Sequence, residues 1–402
     1  MKLGKRTLAL LLAAAMVMCL FAGCASKPAA SDDAPAKATE AKTTEAQTEA
    51  QAPAAEDSKK SILYYVAYIG DFGMWDMGYR AASAAAEKYG YDLTLVEYGT
   101  DTSAAVNSLV DALDTKHYDY VLCAGWYVSD TIIEKSANGE WSDITFIMFD
   151  TSPVADFGDT DNIYGISFAQ NEGSFLVAVY SALMSKTGKI GCTINLDAPI
   201  TNDFGAGWLC GYKYANKELG MDLDMMYAYL GEMTVQNNYE TVSVMIDNGC
   251  DYIYDVAGDV CLGALQAADE KSTEQTGRYI LGTDYDQYSY YRDLGSAKGY
   301  QTLITSMLKN VEPCVALLFE NLNSGNSKIL PGNTVYGLST DGVGLAENEN
   351  YLAHTPEDVQ NTMCELTQKI ISGEIDVVSY YDFNSYEAFA AYRDNPDADF
   401  AA

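Results

Sequence analysis

From Ser61 onward the sequence alternates short apolar runs with longer runs of helical spacing, and this alternation leaves few architectures open. Residues 62–67 form a continuous apolar run, as expected of a parallel strand buried on both faces. Residues 75–89 follow with helical spacing and stop at Gly90, a helix-ending residue. Further strands are predicted at 93–98, 118–124, 144–149 and 163–168, with helices over 104–114 and around 129–137. The pattern then restarts. Helices at 174–185, 204–218, 239–248 and 261–271 alternate with strands at 189–195, 225–230, 251–256 and 279–282. Two successive series predict an α/β chain with two doubly wound parallel-sheet lobes. Ligands of such sheets bind beyond the carboxyl ends of the strands, which directs attention to 69–76, 125–126, Asp150, 196–204, 257–258 and 283–287.

The first sixty residues read differently. Lys2, Lys5 and Arg6 precede an apolar run over 8–21 that is too short to span a bilayer, the pattern of a secretory signal peptide over 1–23. It ends Leu20-Phe21-Ala22-Gly23-Cys24, which resembles a bacterial lipobox and implies lipidation of Cys24. The alternative is an ordinary signal peptide with a chance cysteine. Residues 25–60 hold only small, polar and charged residues and read as a flexible tether. The expectation is therefore an extracytoplasmic domain held at the membrane by its N-terminal lipid alone.

Charge narrows the partners. The chain carries 24 Lys+Arg against 57 Asp+Glu. Three basic residues lie in the leader, and five Lys against seven acids in the tether, leaving 16 basic and 50 acidic residues in 61–402. A domain at −34 has no basic footprint for nucleic acid. Two His, His117 and His354, exclude a three-His metal site, and no metal or other cofactor is expected. Seven Cys remain in the domain, mostly among apolar neighbours, and read as buried free thiols. No GxSxG, HExxH or GxxxxGK[ST] motif is present, and no catalytic residue is assigned.

Several segments together resemble one family. Asn171-Glu172-Gly173-Ser174-Phe175-Leu176 with Lys186-Thr187-Gly188-Lys189 looks like its EGSFLAG…TKTGKVG block. Phe204-Gly205-Ala206-Gly207 with Gly211 resembles its RFEAGFKAG helix start, and Gly282-Thr283-Asp284 its GVDSDQ turn. Thr305-Ser306-Met307-Leu308-Lys309-Asn310-Val311 and 337–345 match two further blocks in order. These resemble the basic membrane protein family, nucleoside-binding lipoproteins that serve ABC importers. The resemblance implies a type I periplasmic-binding-protein fold whose two lobes, joined by three hinge strands, close on a ligand. It implies lobe one over 61–167 plus about 289–326, and lobe two over 168–288 plus about 327–402, with a last helix at 356–372 on the outside. An ABC transporter permease is the implied partner. A sensor handing its signal to a membrane receptor is the alternative.

The resemblance also implies site roles. Phe204 matches a base-stacking position, Asp284 a ribose acceptor and Lys309 a ribose donor; a core Phe, a capping Asp and a surface Lys are the plain alternatives. Asp71 follows the first strand at a matching position. Met74 and Trp75 stand where the family has Phe and Asn, so Trp75 offers a second stacking face where an amide is usual. Trp126 falls at a cleft-wall position or in interlobe packing. Asp150, directly after an apolar strand, accepts from a base edge or caps a turn. Gly258 keeps a close backbone approach in a loop where Asp259 and Val260 replace smaller residues. Cleft acids repel anions, so the expected ligand is neutral or cationic.

Overall fold

A computed structural model describes residues 59–395 apart from 72, 274, 296, 326 and 327; the leader, Cys24 and most of the tether lie outside them. The first lobe opens with β1 (Ser61–Val66), α1 (Met74–Tyr89), β2 (Asp92–Glu97), α2 (Ala105–Thr115), β3 (Tyr120–Ala124), α3 (Ser129–Ala137), β4 (Thr145–Phe149) and β5 (Ile163–Phe168). The second continues through α4 (Gln170–Met184), β6 (Lys189–Ile194), α5 (Pro199–Lys217), β7 (Asp224–Tyr229), α6 (Val235–Asp247), β8 (Tyr252–Val256), α7 (Leu262–Lys271), β9 (Tyr279–Asp284), α8 (Gln287–Leu294) and β10 (Leu303–Lys309). After it come α9 (Val311–Asn323), β11 (Gly332–Tyr336), β12 (Val343–Leu345), α10 (Glu349–His354), α11 (Glu357–Ile371) and α12 (Tyr386–Asp394). No helix among the described residues is long and apolar enough to cross a membrane.

The strands form two six-stranded sheets, ordered β11-β5-β4-β3-β1-β2 and β12-β10-β9-β8-β6-β7. All pairings are parallel except β10 with β12. Parallel strands covered on both faces are predominantly apolar, and β1, β5 and β8 are buried along their whole length. One core runs beneath α1, α4 and α5, including Tyr64, Phe175 and Trp208. Separate cores fill the opposite faces of the two sheets, around Leu109 and Ile132 in lobe one and around Val242 and Leu265 in lobe two.

The lobe boundaries after β9 differ from expectation. Residues 289–310 stay with lobe two, because β10 extends that sheet by pairing in parallel with β9. Only α9 crosses back, to pack on α1. Conversely β11 leaves the 327–402 segment and pairs with β5, from Gly332 opposite Tyr164 to Tyr336 opposite Phe168. An apolar run identifies a strand but not the sheet whose edge it joins. Helix starts also moved. α5 begins at Pro199 rather than 204, since proline presets the first helical turn. α6 begins at Val235 because the Thr234 side chain accepts from Asn237 N–H. α12 is an additional helix beyond 356–372, capped by Ser385. Of the seven thiols, all free, Cys364 is exposed and Cys210 half-buried, while the other five are buried.

The chain crosses between lobes three times, from β5 into α4, from β10 into α9 and from β11 into β12. The crossings are bonded to one another. Ala169 N–H donates to the Tyr336 carbonyl at 3.0 Å, Asn310 N–H to the Gly342 carbonyl at 2.9 Å, and Leu338 N–H to the Glu172 carboxylate at 2.7 Å.

Close packing of α4 on α5 explains two glycines of the Phe204 motif. A Cβ on Gly207 would lie 2.1 Å from the Asn171 carbonyl oxygen, and one on Gly211 2.5 Å from that of Phe175. Backbone cannot yield as a side-chain tip can. Gly207→Ala should therefore destabilise the protein by about 1–3 kcal/mol. Gly344→Ala, with nothing within 4 Å of the added carbon, should stay within about 0.5 kcal/mol of the parent. Urea unfolding of both variants checks the pair.

Candidate functional site

Where the carboxyl ends of the two sheets face each other, they enclose a cavity of about 550 Å³. Its wall contains Asp71, Met74, Trp75, Trp126, Asp150, Phe204, Gly258, Asp284 and Lys309. All nine positions singled out in the sequence thus come together, from segments separated by up to 238 positions (Asp71 to Lys309).

Lobe one supplies its residues from three strand exits. After β1, the Asp71 carboxylate accepts from the backbone N–H groups of Gly73, Trp75 and Asp76 at 3.0–3.1 Å. It thereby caps α1, and those bonds fix Met74 and Trp75 at the cavity edge. Burial raises the Asp71 pKa, with the three N–H groups pulling the other way. After β3 comes Trp126, 39% exposed, whose indole N–H donates to both the backbone carbonyl and the carboxylate of Asp150 at 3.0 Å. Asp150 itself follows β4 with φ of 55°.

Lobe two answers with Phe204 on α5, Gly258 after β8, Asp284 closing β9 and Lys309 closing β10. Lys309 Nζ lies 2.7 Å from Asp150 Oδ1 and 4.0 Å from Asp284 Oδ1. The ion pair joins the lobes, and its side chains are 2% and 5% exposed. Lys309 also sits 4.6 Å from the Phe204 ring centre and 5.7 Å from that of Phe168. Burial alone would lower its pKa; Asp150, Asp284 and the more distant Asp203 outweigh that and raise it.

Asp284 is built differently from Asp150. Its φ is 68°, another left-handed value in a residue with a side chain. Strand-end Asp tolerates this region better than most residues, yet the conformation costs about 1–3 kcal/mol. Its Oδ1 is buried with no hydrogen-bond partner. Burial pushes its pKa up to about 6, against the pull of Lys309. A buried acceptor without a donor is suited to receive one from a ligand. Gly258 has φ of 59° and open space where a Cβ would stand, so glycine serves the left-handed turn there rather than a tight approach.

Sequence reasoning missed Tyr68, Tyr127 and Met233, which also line the cavity. Tyr68 and Tyr127 each sit one residue outside a strand-end window that was considered, and a window wider by one would have included them. Met233 follows the edge strand β7, whose exit was not considered. Asp203 was missed as well. It accepts from Gln170 Nε2 and Ser379 Oγ at 2.6 Å and from Tyr380 N–H at 2.8 Å, tying α5 to the first crossing and the C-terminal segment. Burial pushes its pKa up to about 6.

Residues 59–380 match the family model described as ABC transporter substrate-binding protein, PnrA-like. The chain belongs to this family of ABC transporter substrate-binding proteins. Among its relatives, this substrate-binding protein is 28% identical over 306 residues to a CD4+ T-cell-stimulating antigen of Listeria monocytogenes, covering 75% of this chain and 77% of that one. It is 26% identical over 355 residues to basic membrane protein D of Borreliella burgdorferi, covering 86% and 96%. It shares its fold with a solute-binding protein of an ABC transporter system from Aeropyrum pernix K1, at a TM-score of 0.68 and 23% identity over 83% and 96% of the two chains. The architecture is accordingly the two-lobed periplasmic-binding-protein fold.

The Lys309–Asp150 pair gives the substrate-binding protein a direct test. Lys309→Met leaves Asp150 buried without its cation and should cost about 3–5 kcal/mol, with the Asp150→Asn, Lys309→Met double variant recovering most of the loss. Urea unfolding of the two variants measures both quantities.

Proposed function

We propose that this substrate-binding protein captures a nucleoside-like molecule in the interlobe cavity and delivers it to an ABC permease, while an N-terminal lipid on Cys24 holds it at the outer face of the cell membrane. The observation that carries this reading is the combination of Asp284 and Phe204 on one wall. Asp284 offers a buried acceptor with no hydrogen-bond partner, and Lys309, 4.0 Å from it, lies over the Phe204 ring. Vicinal ribose hydroxyls donate to such a carboxylate through charge-assisted bonds. A flat base gains about 1–3 kcal/mol from stacking on an aromatic face, and Phe204, Trp75 and Trp126 provide such faces. The role is binding rather than catalysis, in keeping with the family. Hinge closure is the mechanism this reading implies. A ligand touching both lobes stabilises the closed form by its differential affinity for it.

Calorimetric titration with adenosine, guanosine and inosine tests the reading. At least one should bind, and Asp284→Ala should weaken it by about 2–4 kcal/mol, as lost charge-assisted hydrogen bonds would. Equal affinity in the variant would remove Asp284 from the site. Ligand hydroxyls favour the ionised carboxylate, so affinity should be flat above about pH 7. It should fall as pH drops through the Asp284 pKa of about 6, approaching about tenfold per pH unit below it. Asp284→Asn should flatten that profile.

A further inference from the structure

We propose that the ligand of this cleft carries a positive charge, an N-alkylated or otherwise cationic base, seated against the aromatic side chains of lobe one. The inference rests on the cavity being the solute site and narrows the class of solute. Two independent features support it.

The first is charge. Four carboxylates line the cavity, Asp71, Asp150, Asp259 and Asp284, against a single ammonium, Lys309. That ammonium is shared between Asp150 and Asp284. Neither Asp71 nor Asp259 has an ion-pair partner among the described residues. Both charges act on the Tyr68 phenol, whose pKa is raised by burial first and then by Asp259 and Asp71. Asp71 is bonded to three N–H groups at the start of α1, but no lysine or arginine side chain lines this end of the cavity to offset Asp259, so the potential there favours a cation.

The second is the arrangement of rings. Tyr68 meets Trp75 edge to face, with centroids 4.5 Å apart and planes at 82°. Trp126 is tilted 51° from Trp75 at 6.2 Å, and Tyr127 stands at 84° to Trp126 at 6.5 Å. A neutral base needs only two near-parallel faces. Four electron-rich rings at steep mutual angles line this end of the cavity, a set suited to cation–π contact with an alkylated cation. Lys309 gives the orientation. It already lies over the Phe204 ring, so a second positive charge is directed to the aromatic lobe-one side, where Asp71 and Asp259 act on Tyr68.

Calorimetry on the purified full-length protein, with probe pairs that differ by one methyl group and one charge, tests the inference. The pairs are guanosine with 7-methylguanosine, adenosine with 1-methyladenosine, and nicotinamide with 1-methylnicotinamide. The cationic member of at least one pair should bind tenfold or more tightly than its neutral partner. Asp259→Asn should weaken that cation several-fold more than it weakens the neutral partner. Neutral nucleosides binding as tightly as their methylated forms would overturn the cation and keep the nucleoside reading. Preference for 1-methylnicotinamide with no nucleoside bound would support the cation and overturn the nucleoside reading. No binding by any of the three cations would overturn the inference.

Discussion

The ion pair between Lys309 and Asp150 is the contact on which the arrangement of the cleft depends. Its residues come from different lobes and lie almost wholly out of solvent. Lys309 ends the strand that leads into the second crossing, so the charge sits at the hinge itself. Without it, Asp150 and Asp284 would face one another across a low-dielectric gap, where like charges repel strongly. In a domain with 16 basic against 50 acidic residues, one buried ammonium does what a more balanced protein would distribute over several. Phe168 and Phe204 flank it, excluding water from the pair and giving its charge two ring faces.

Backbone geometry serves the same end. Among the described residues, only Asp150, Asp284 and Asp341 have positive φ without being glycine. Asp150 follows β4 of the first sheet, Asp284 closes β9 of the second, and Asp341 lies on the β11–β12 crossing. Left-handed backbone at these points turns a carboxylate from the sheet toward the cavity. Such strain persists only where the surroundings over-determine it, and a parallel sheet buried on both faces does so. Both carboxylates face the cavity, but they are used differently. Asp150 is engaged by Lys309 and Trp126, whereas Asp284 keeps one oxygen without a partner.

The sequence shows the strands clearly because parallel strands buried on both faces are mostly apolar, with β1 and β4 nearly continuous apolar runs and β5 and β8 each carrying one buried polar residue, Ser167 and Asp255. It shows the site for a related reason: residues just past such runs lie at the ligand-binding edge, whatever the loops do. Sheet membership beyond β9 was not legible. β10 and β11 each look like short strands, and which edge they join is decided by crossings that leave no local signature. The starts of α1, α2, α3 and α7 were legible to within one residue, whereas those of α5 and α6 were not, because the signals at Pro199 and Thr234 precede the apolar spacing that marked each helix. The engagement of Asp71 with α1 was hidden too, because an acid two residues before a glycine reads equally well as a loop residue. Asp203 was invisible, since its partners Gln170, Ser379 and Tyr380 come from distant segments.

Taken together, the cleft joins a satisfied interlobe ion pair to an unsatisfied acceptor and a set of aromatic faces, and a ligand completes what the protein leaves open. Native mass spectrometry of the full-length protein, purified without added ligand from its own host, tests this most directly. The account predicts an adduct of nucleoside-like mass on the parent protein and its loss from Asp284→Ala. An adduct of unrelated chemistry, or one retained at full occupancy by that variant, would contradict it.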